Sequence, residues 1–307
     1  MLNSYKTKLI VKQYLTRDVW LFRFQLQESS ELHFIAGQYM ILLIPQNTDA
    51  SLRRLYSIAS SERQIDSFEL IIKLVDGGIG SAYLAKIQIG DLVDFQGPAG
   101  QFALKENNNS KIFLATGTGI APMLSMIDKL VNPVTPSLRS GHFHGHFVMN
   151  IHSSLGLHPE HSGYGVNPKS EIRNPKQILN FNEKNSKQNN IFRISSFEFR
   201  IFLFWGLATY QDVFYLDRLK QIKKENPNFD FKIRLSREKD LSMIKPEDKQ
   251  FFFLGHINNC VNTLHVSRFA LHDSNFYICG RREMVEGLRT ELEGLGVEKE
   301  KIYFERF

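Results

Sequence analysis

Residues 111–122 read Lys-Ile-Phe-Leu-Ala-Thr-Gly-Thr-Gly-Ile-Ala-Pro. Gly117 and Gly119 interrupt the chain between an apolar run, Ile112–Ala115, and a helical pattern with Pro122 in its first turn. Bare backbone lets a ligand come close, and the N–H groups of a helix start point outward at anions, so this corner suits a phosphate. The spacing is Gly-x-Gly-x-x-Pro, not the Gly-x-Gly-x-x-Gly of the dinucleotide fingerprint. A tight strand-to-helix turn would use the same glycines. A second cluster, Arg53-Arg54-Leu55-Tyr56-Ser57-Ile58-Ala59-Ser60, sets an arginine, an aromatic ring and hydroxyls on one extended segment. Alternation sends Arg54 and Tyr56 to one face and Ser57 to the other. A guanidinium grips a pyrophosphate bidentately, and a tyrosine can stack on a flat ring. The bland alternative is a strand with a surface salt bridge. Gly77-Gly78-Ile79-Gly80-Ser81 offers backbone N–H groups, a hydroxyl and a following helix start, either a second anion site or a hairpin turn. Ser236-Arg237 ends an apolar run, where a hydroxyl beside a guanidinium suits a ribose 2′-phosphate. The alternative there is a solvated arginine pairing with Glu238 or Asp240.

These residues need a scaffold. In the first hundred residues, Leu9–Val11, Val19–Gln27, Tyr39–Ile44, Phe68–Val75 and Leu92–Phe95 carry β-branched, aromatic and alternating patterns separated by turn residues. Several short strands at this spacing predict a closed β-barrel, with one short helix starting near Ser81. Polar, aperiodic Lys105–Ser110 marks a boundary. Beyond it, apolar strands at Ile112–Ala115, Phe202–Trp205, Phe231–Leu235, Phe251–Leu254, Phe276–Cys279 and Ile302–Phe304 alternate with helical patterns at about Ala121–Leu130, Gln211–Lys224, Asn258–Phe269 and Arg282–Leu295. That alternation predicts a doubly wound parallel sheet, whose ligands lie beyond the carboxyl ends of its strands. The expected division is 1–108, an antiparallel β-barrel, and 109–307, an α/β domain.

In this order the motifs resemble the ferredoxin–NADP reductase family. Arg54-Leu55-Tyr56-Ser57-Ile58-Ala59-Ser60 resembles its flavin signature, and Ile71-Ile72-Lys73 followed by Ile79-Gly80-Ser81 its second flavin element. Leu114–Met123 resembles its nucleotide loop, Tyr277-Ile278-Cys279-Gly280 its nicotinamide motif, and Glu305-Arg306-Phe307 its ending. The resemblance implies that the first domain binds FAD and the second NAD(P). Arg54 would then hold the FAD pyrophosphate, Tyr56 would lie against the isoalloxazine, and Ser57 would meet its N5 edge. Gly80 and Ser81 would hold the pyrophosphate from the other side. Thr116 and Thr118 would contact nicotinamide and flavin, with Gly117 and Gly119 admitting the nucleotide pyrophosphate. Ser236 and Arg237, with Lys245 beside them, would prefer NADP(H), NAD(H) remaining possible. Cys279 and Gly280 would flank the reacting nicotinamide carbon, Glu305 would relay a proton, and Phe307 would cover the flavin. Two residues depart from the family pattern: Ala208 stands where many relatives carry arginine, and Arg281 where an apolar residue is usual. These motifs do not identify what contacts the adenine, so FMN stays open beside FAD.

The implied activity is FAD-dependent hydride transfer between NAD(P)H and flavin, with electrons passing to or from a separate carrier such as ferredoxin or flavodoxin. The alternatives are the reductase component of an oxygenase, a free-flavin reductase, or a non-catalytic flavin-binding docking subunit. Two cysteines, Cys260 and Cys279, lack metal-ligand spacing, so no zinc or Cys-ligated iron–sulfur site is expected. No run of apolar residues is long enough to span a membrane, and the start lacks a signal-peptide pattern, which predicts a cytoplasmic protein.

The net charge of +6 is misleading, because 133–200 holds eight Lys/Arg against four Asp/Glu. Without that excess, a nucleic-acid binder is not expected. The stretch also holds five of the ten prolines and six of the ten histidines, and it reads as an insertion at about 133–198 with disorder expected over Ser137–Asn190. His142, His144 and His146 would share one face of a strand, but no partner is fixed and no metal site is expected. An insertion of foreign origin predicts that removing about Ser137–Ser195 leaves flavin binding and turnover intact.

Overall fold

The structure is a computed structural model, and it describes residues 2–27, 31–46, 51–132, 199–261 and 271–307. The segment 133–198, with the insertion and His142, His144 and His146, lies outside the described residues. So does 262–270, which holds most of the helix expected at Asn258–Phe269.

The first sheet joins β1 (Asn3–Tyr14), β2 (Val19–Leu26), β3 (Tyr39–Pro45), β4 (Ser51–Ser57), β5 (Ser67–Lys73) and β6 (Leu92–Ala99) in the order β4-β3-β6-β1-β2-β5, with every pair antiparallel. Ile58 bridges to Leu70, so the two ends of the sheet meet as in a closed barrel. Alternation puts Phe22, Phe24, Phe68, Leu70 and Phe95 inside, and all five share one buried cluster with Leu42 and Leu84. Leu84 comes from α1 (Ile79–Lys86), which starts two residues before the expected position and so takes Gly80 and Ser81 into its first turn.

The second sheet is wholly parallel: β10 (Phe252–Leu254), β9 (Phe229–Leu235), β8 (Ile201–Leu207), β7 (Ser110–Thr116), β11 (Ser274–Gly280) and β12 (Ile302–Arg306), in that order. The chain leaves β7 toward β10, then returns to add β11 and β12 on the other side. The strand order therefore reverses between β7 and β11, and a crevice opens beyond their carboxyl ends. α2 (Ile120–Val131) and α3 (Leu216–Glu225) cover one face, and α4 (Arg282–Gly294) covers the other with Val285, Leu288 and Leu292.

A helix of the second sheet also differs from its expected bounds, for a local reason. The helix expected from Gln211 begins only at Leu216. Thr209 and Asp212 form a reciprocal capping box that closes a single 3-10 turn, Tyr210–Asp212. Tyr215, at φ 57°, then redirects the chain into α3.

Both sheets belong to one compact unit, Met1–Pro133 with Ser195–Phe307. Lys129 near the end of α2 reaches Glu62 of the first sheet's loop at 3.0 Å and Glu106 of the linker at 2.9 Å, while Arg63 meets Asp128 at 3.1 Å. The buried Tyr277 hydroxyl accepts the Lys105 backbone N–H at 2.9 Å. These contacts tie a loop of the first sheet and the linker to the last turn of α2 and to β11.

Candidate functional site

β4 supplies the first part. Its exposure alternates: Arg53 and Leu55 face solvent, while Arg54 and Tyr56 turn inward and are half-buried. The inward pair meets the first turn of α1. A Cβ at Gly80 would lie 2.6 Å from the Tyr56 hydroxyl and 3.2 Å from Arg54 Cγ, so only glycine brings this helix start so near the pair. A guanidinium, an aromatic ring and helix N–H groups thus share one corner. Burial raises the Tyr56 phenol above its ordinary range, against the pull of Arg54, so it stays neutral. The Ser81 hydroxyl accepts the Val75 N–H at 2.9 Å. Lys73 pairs with Asp18 at 2.7 Å at the far end of β5. Ile71 and Ile72 are core residues, so only their backbone is available to a ligand.

The glycine loop follows β7 as a 3-10 turn, Gly117–Gly119, that runs directly into α2. Gly117 sits at φ 53° in open space, and its carbonyl accepts the Nε1 proton of buried Trp205 at 2.9 Å. A Cβ at Gly119 would collide with the Cys279 carbonyl, and one at Gly280 would strike Thr116 Oγ1 and Met284 Cε. Loop and strand end therefore interlock through two glycines. The interlock leaves Thr116 Oγ1 buried without a hydrogen-bond partner, directly in the crevice.

Ser57, at the end of β4, donates from Oγ to Glu305 Oε2 at 2.9 Å, across 248 positions of sequence. Glu305 in turn lies opposite Cys279 in the β11–β12 register. Burial raises the Glu305 carboxyl above its ordinary range, partly offset by the Ser57 bond. Burial, and then the Glu305 charge, push the Cys279 thiol well above its ordinary value. This cysteine is a protonated, packed side chain, not a thiolate nucleophile.

At the end of β9 the chain folds back on β8. Ser236 donates from both N and Oγ to the Leu207 carbonyl, and the Arg237 N–H reaches the Ala208 carbonyl at 2.8 Å. Glu238 caps the Tyr210 N–H at 2.9 Å, and Asp240 accepts the Ser242 N–H at 2.7 Å. Both carboxylates thus engage backbone, and with Arg237 and Lys239 they line a cleft of about 320 Å³. Ser236–Arg237 and Arg54–Tyr56 form separate groups, as two distinct ligands would require. Phe307 is 66 % exposed, with its N–H on the Gly280 carbonyl at 3.2 Å.

Trp205 was missed as a site residue by the sequence reading. Its signal was present: a tryptophan in a buried strand needs a partner for its N–H.

This fold and site define a two-part protein, one part built like a flavin-binding domain and one like a pyridine-nucleotide-binding domain. Residues 6–104 match the oxidoreductase FAD-binding domain family, and residues 177–290 match the oxidoreductase NAD-binding domain family. Together the two matches make up the signature of the ferredoxin–NADP reductase family. Among curated relatives, a CDP-6-deoxy-L-threo-D-glycero-4-hexulose-3-dehydrase reductase of Yersinia pestis is 32 % identical over 131 residues, 42 % of this chain and 38 % of that protein. The phenol hydroxylase P5 protein of Acinetobacter pittii is 24 % identical over 309 residues, covering 100 % of this chain and 66 % of that protein. The first curated relatives are matched over less than two fifths of their length. Among solved structures, a ferredoxin NADP+ reductase from Neisseria gonorrhoeae with bound FAD and NADP superposes with a TM-score of 0.66 at 19 % identity, covering 99 % of this chain and 98 % of that one. A cytochrome P450 reductase from Amycolatopsis gives 0.68 at 20 % identity, covering 100 % and 70 %. These structural likenesses show the fold. Among the described residues, no helix is long and apolar enough to cross a membrane.

Proposed function

We propose that the chain is an FAD-dependent NAD(P)H oxidoreductase that exchanges electrons with a separate carrier. The observation that carries this reading is the meeting of Ser57, Glu305 and Cys279 where the strand order of the second sheet reverses. The described residues fit FAD: a glycine-only approach of α1 to Arg54 and Tyr56, and an orphaned Thr116 hydroxyl in the crevice. Bound there, the flavin would supply two-electron exchange with NAD(P)H and one-electron exchange with a carrier.

The protein's own part is binding, orientation and proton handling. Arg54 holds the pyrophosphate from β4, and the Gly80 N–H and Ser81 hold it from α1. Tyr56 gives the ring system an apolar wall, and the backbone of Ile71–Lys73 and Ile79 lines its edge. Ser57 presents its hydroxyl at the N5 edge. Thr116, Gly117, Thr118, Gly119 and Gly280 seat the nucleotide, and Cys279 backs the nicotinamide with a small, protonated side chain. Glu305 holds or passes a proton through Ser57. Phe307, exposed beside Gly280, covers the flavin in this reading. Ser236 and Arg237 favour NADP(H) over NAD(H), because Glu238 and Asp240 bond to backbone and leave the guanidinium to a 2′-phosphate. In this reading 1–108 binds FAD, 109–307 binds NAD(P), and the chain works in the cytoplasm.

The carrier is a small acidic protein of the ferredoxin or flavodoxin kind, met by exposed Arg53. A second reading, the electron-transfer component of an oxygenase, is favoured by relatives bearing that description, such as the anthranilate 1,2-dioxygenase component of Acinetobacter baylyi, 28 % identical over 160 residues. The test is anaerobic titration of the yellow protein with NADPH and NADH, followed by assays with ferredoxin, flavodoxin and free flavin. Bleaching by NADPH supports the reading. A yellow protein that neither nucleotide bleaches is a non-catalytic flavin subunit.

A further inference from the structure

β12 is an edge strand, paired only with β11 among the described residues. Its successive side chains point to opposite faces. Tyr303 stacks on Tyr277, and Glu305 reaches Ser57; Phe304 and Arg306 turn the other way, toward α4. There one carboxylate gathers the contacts. Glu286 Oε1 bonds Arg306, and Glu286 Oε2 bonds Arg289 at 2.9 Å. The Arg289 guanidinium lies over the Phe304 ring at 4.1 Å from its centroid. Glu286 and Arg289 are one turn apart on α4 and share a face. Such half-exposed pairs add little to global stability. Their effect here is local, because they hold the residues on either side of Glu305 and so restrain the strand at 305.

We propose that Glu286 is a positioning residue: through Arg306 and Arg289 it clamps the end of β12, so that Glu305 stays against Ser57 and the Phe307 N–H stays on Gly280. Glu286 touches neither a cofactor nor the reacting atoms. This inference rests on the oxidoreductase reading for its consequence in turnover, but its geometry stands alone. The groups facing Glu305 are the Ser57 hydroxyl from β4 and the Cys279 thiol from β11, neither of which carries charge at neutral pH. When the clamp opens, Glu305 moves toward water.

Three measurements on the full-length Glu286→Gln protein test this. Amide exchange at Phe307 is expected to quicken about fivefold, matching the loss of an exposed ionic network. The Glu305 carboxyl, followed by carbon-13 NMR and assigned with Glu305→Gln, is expected to titrate at lower pH than in the parent chain. Anaerobic reduction of the flavin by NADPH is expected to slow about fivefold at saturating nucleotide, with nucleotide KM nearly unchanged. Glu283→Gln, in the first turn of the same helix, leaves all three alone. Adding Arg306→Gln to Glu286→Gln produces no further change, because both break one link. Unchanged exchange and titration in Glu286→Gln, or an additive double substitution, overturns the clamp. If exchange and titration shift while the parent chain is never reduced by NADPH or NADH, the clamp is upheld and the oxidoreductase reading falls.

Discussion

Two of the described carboxylates drawn out of water, Glu69 and Glu305, are treated in opposite ways. Glu69 on β5 is 4 % exposed and is gripped by Arg23 from β2, whose Nε donates at 2.9 Å; its backbone N–H meets the Ser60 hydroxyl. Glu305 on β12 has a serine hydroxyl for a partner and a buried thiol for a neighbour. The first carries its countercharge with it and serves the barrel wall. The second has been taken partly out of water without a cation, which raises its affinity for a proton. Burial with an opposite charge makes architecture; burial without one makes a group ready to hold a proton at the crevice.

The comparison can be broken in order of size. Glu69→Leu strands Arg23 against the barrel and is expected to cost about 3 kcal/mol in urea unfolding. A cost under a tenth of that would show that Glu69 is not a structural partner. Glu305→Gln is expected to slow flavin reduction about a hundredfold in stopped-flow traces, the lower range for loss of a proton-handling group. It also carries a pH signature. Because the folded carboxyl sits above its unfolded value, its contribution to stability is full below the ordinary carboxylate range and is lost as pH rises through the folded value. Glu305→Gln should therefore match the parent chain in acid and overtake it in stability toward neutral pH. A gap that shrinks as pH rises would refute the assignment.

Gly119→Ala drives a Cβ to 2.8 Å from the Cys279 carbonyl carbon, and backbone there cannot give way. We expect about 2 kcal/mol of destabilisation together with weaker nucleotide binding by calorimetry. Trp205→Phe removes the hydrogen bond to Gly117 and keeps most of the ring, for about 1 kcal/mol or a fivefold rise in nucleotide KM. A change in kcat alone would separate Trp205 from the loop it holds.

Period and punctuation made most strands readable. The alternation of Arg54 and Tyr56 was legible because a strand has only two faces. The start of α3 was not, since nothing in a tyrosine announces the left-handed backbone adopted at Tyr215. Nor could spacing bring Ser57 to Glu305, because that bond depends on how two sheets pack; family likeness gave each residue a role but not the bond between them. The bond from Trp205 to Gly117 was half legible: its donor could be seen to need a partner, but the acceptor lies 88 positions away. Long-range pairings of this kind are decided by packing, which no local window contains.

β7 and β8 lie side by side in unbroken register from Lys111↔Ile201 to Thr116↔Gly206. Their pairing is held by backbone ladders and by core on both faces, whatever the chain does between Asn132 and Phe199. Closing a loop of that length in place of an ordinary short one costs only about 2 kcal/mol of chain entropy. Covalent continuity there is nearly dispensable. Residues 1–132 and 199–307, produced as two polypeptides, should find each other and rebuild one sheet, a split protein whose reunion can be read by the return of flavin colour.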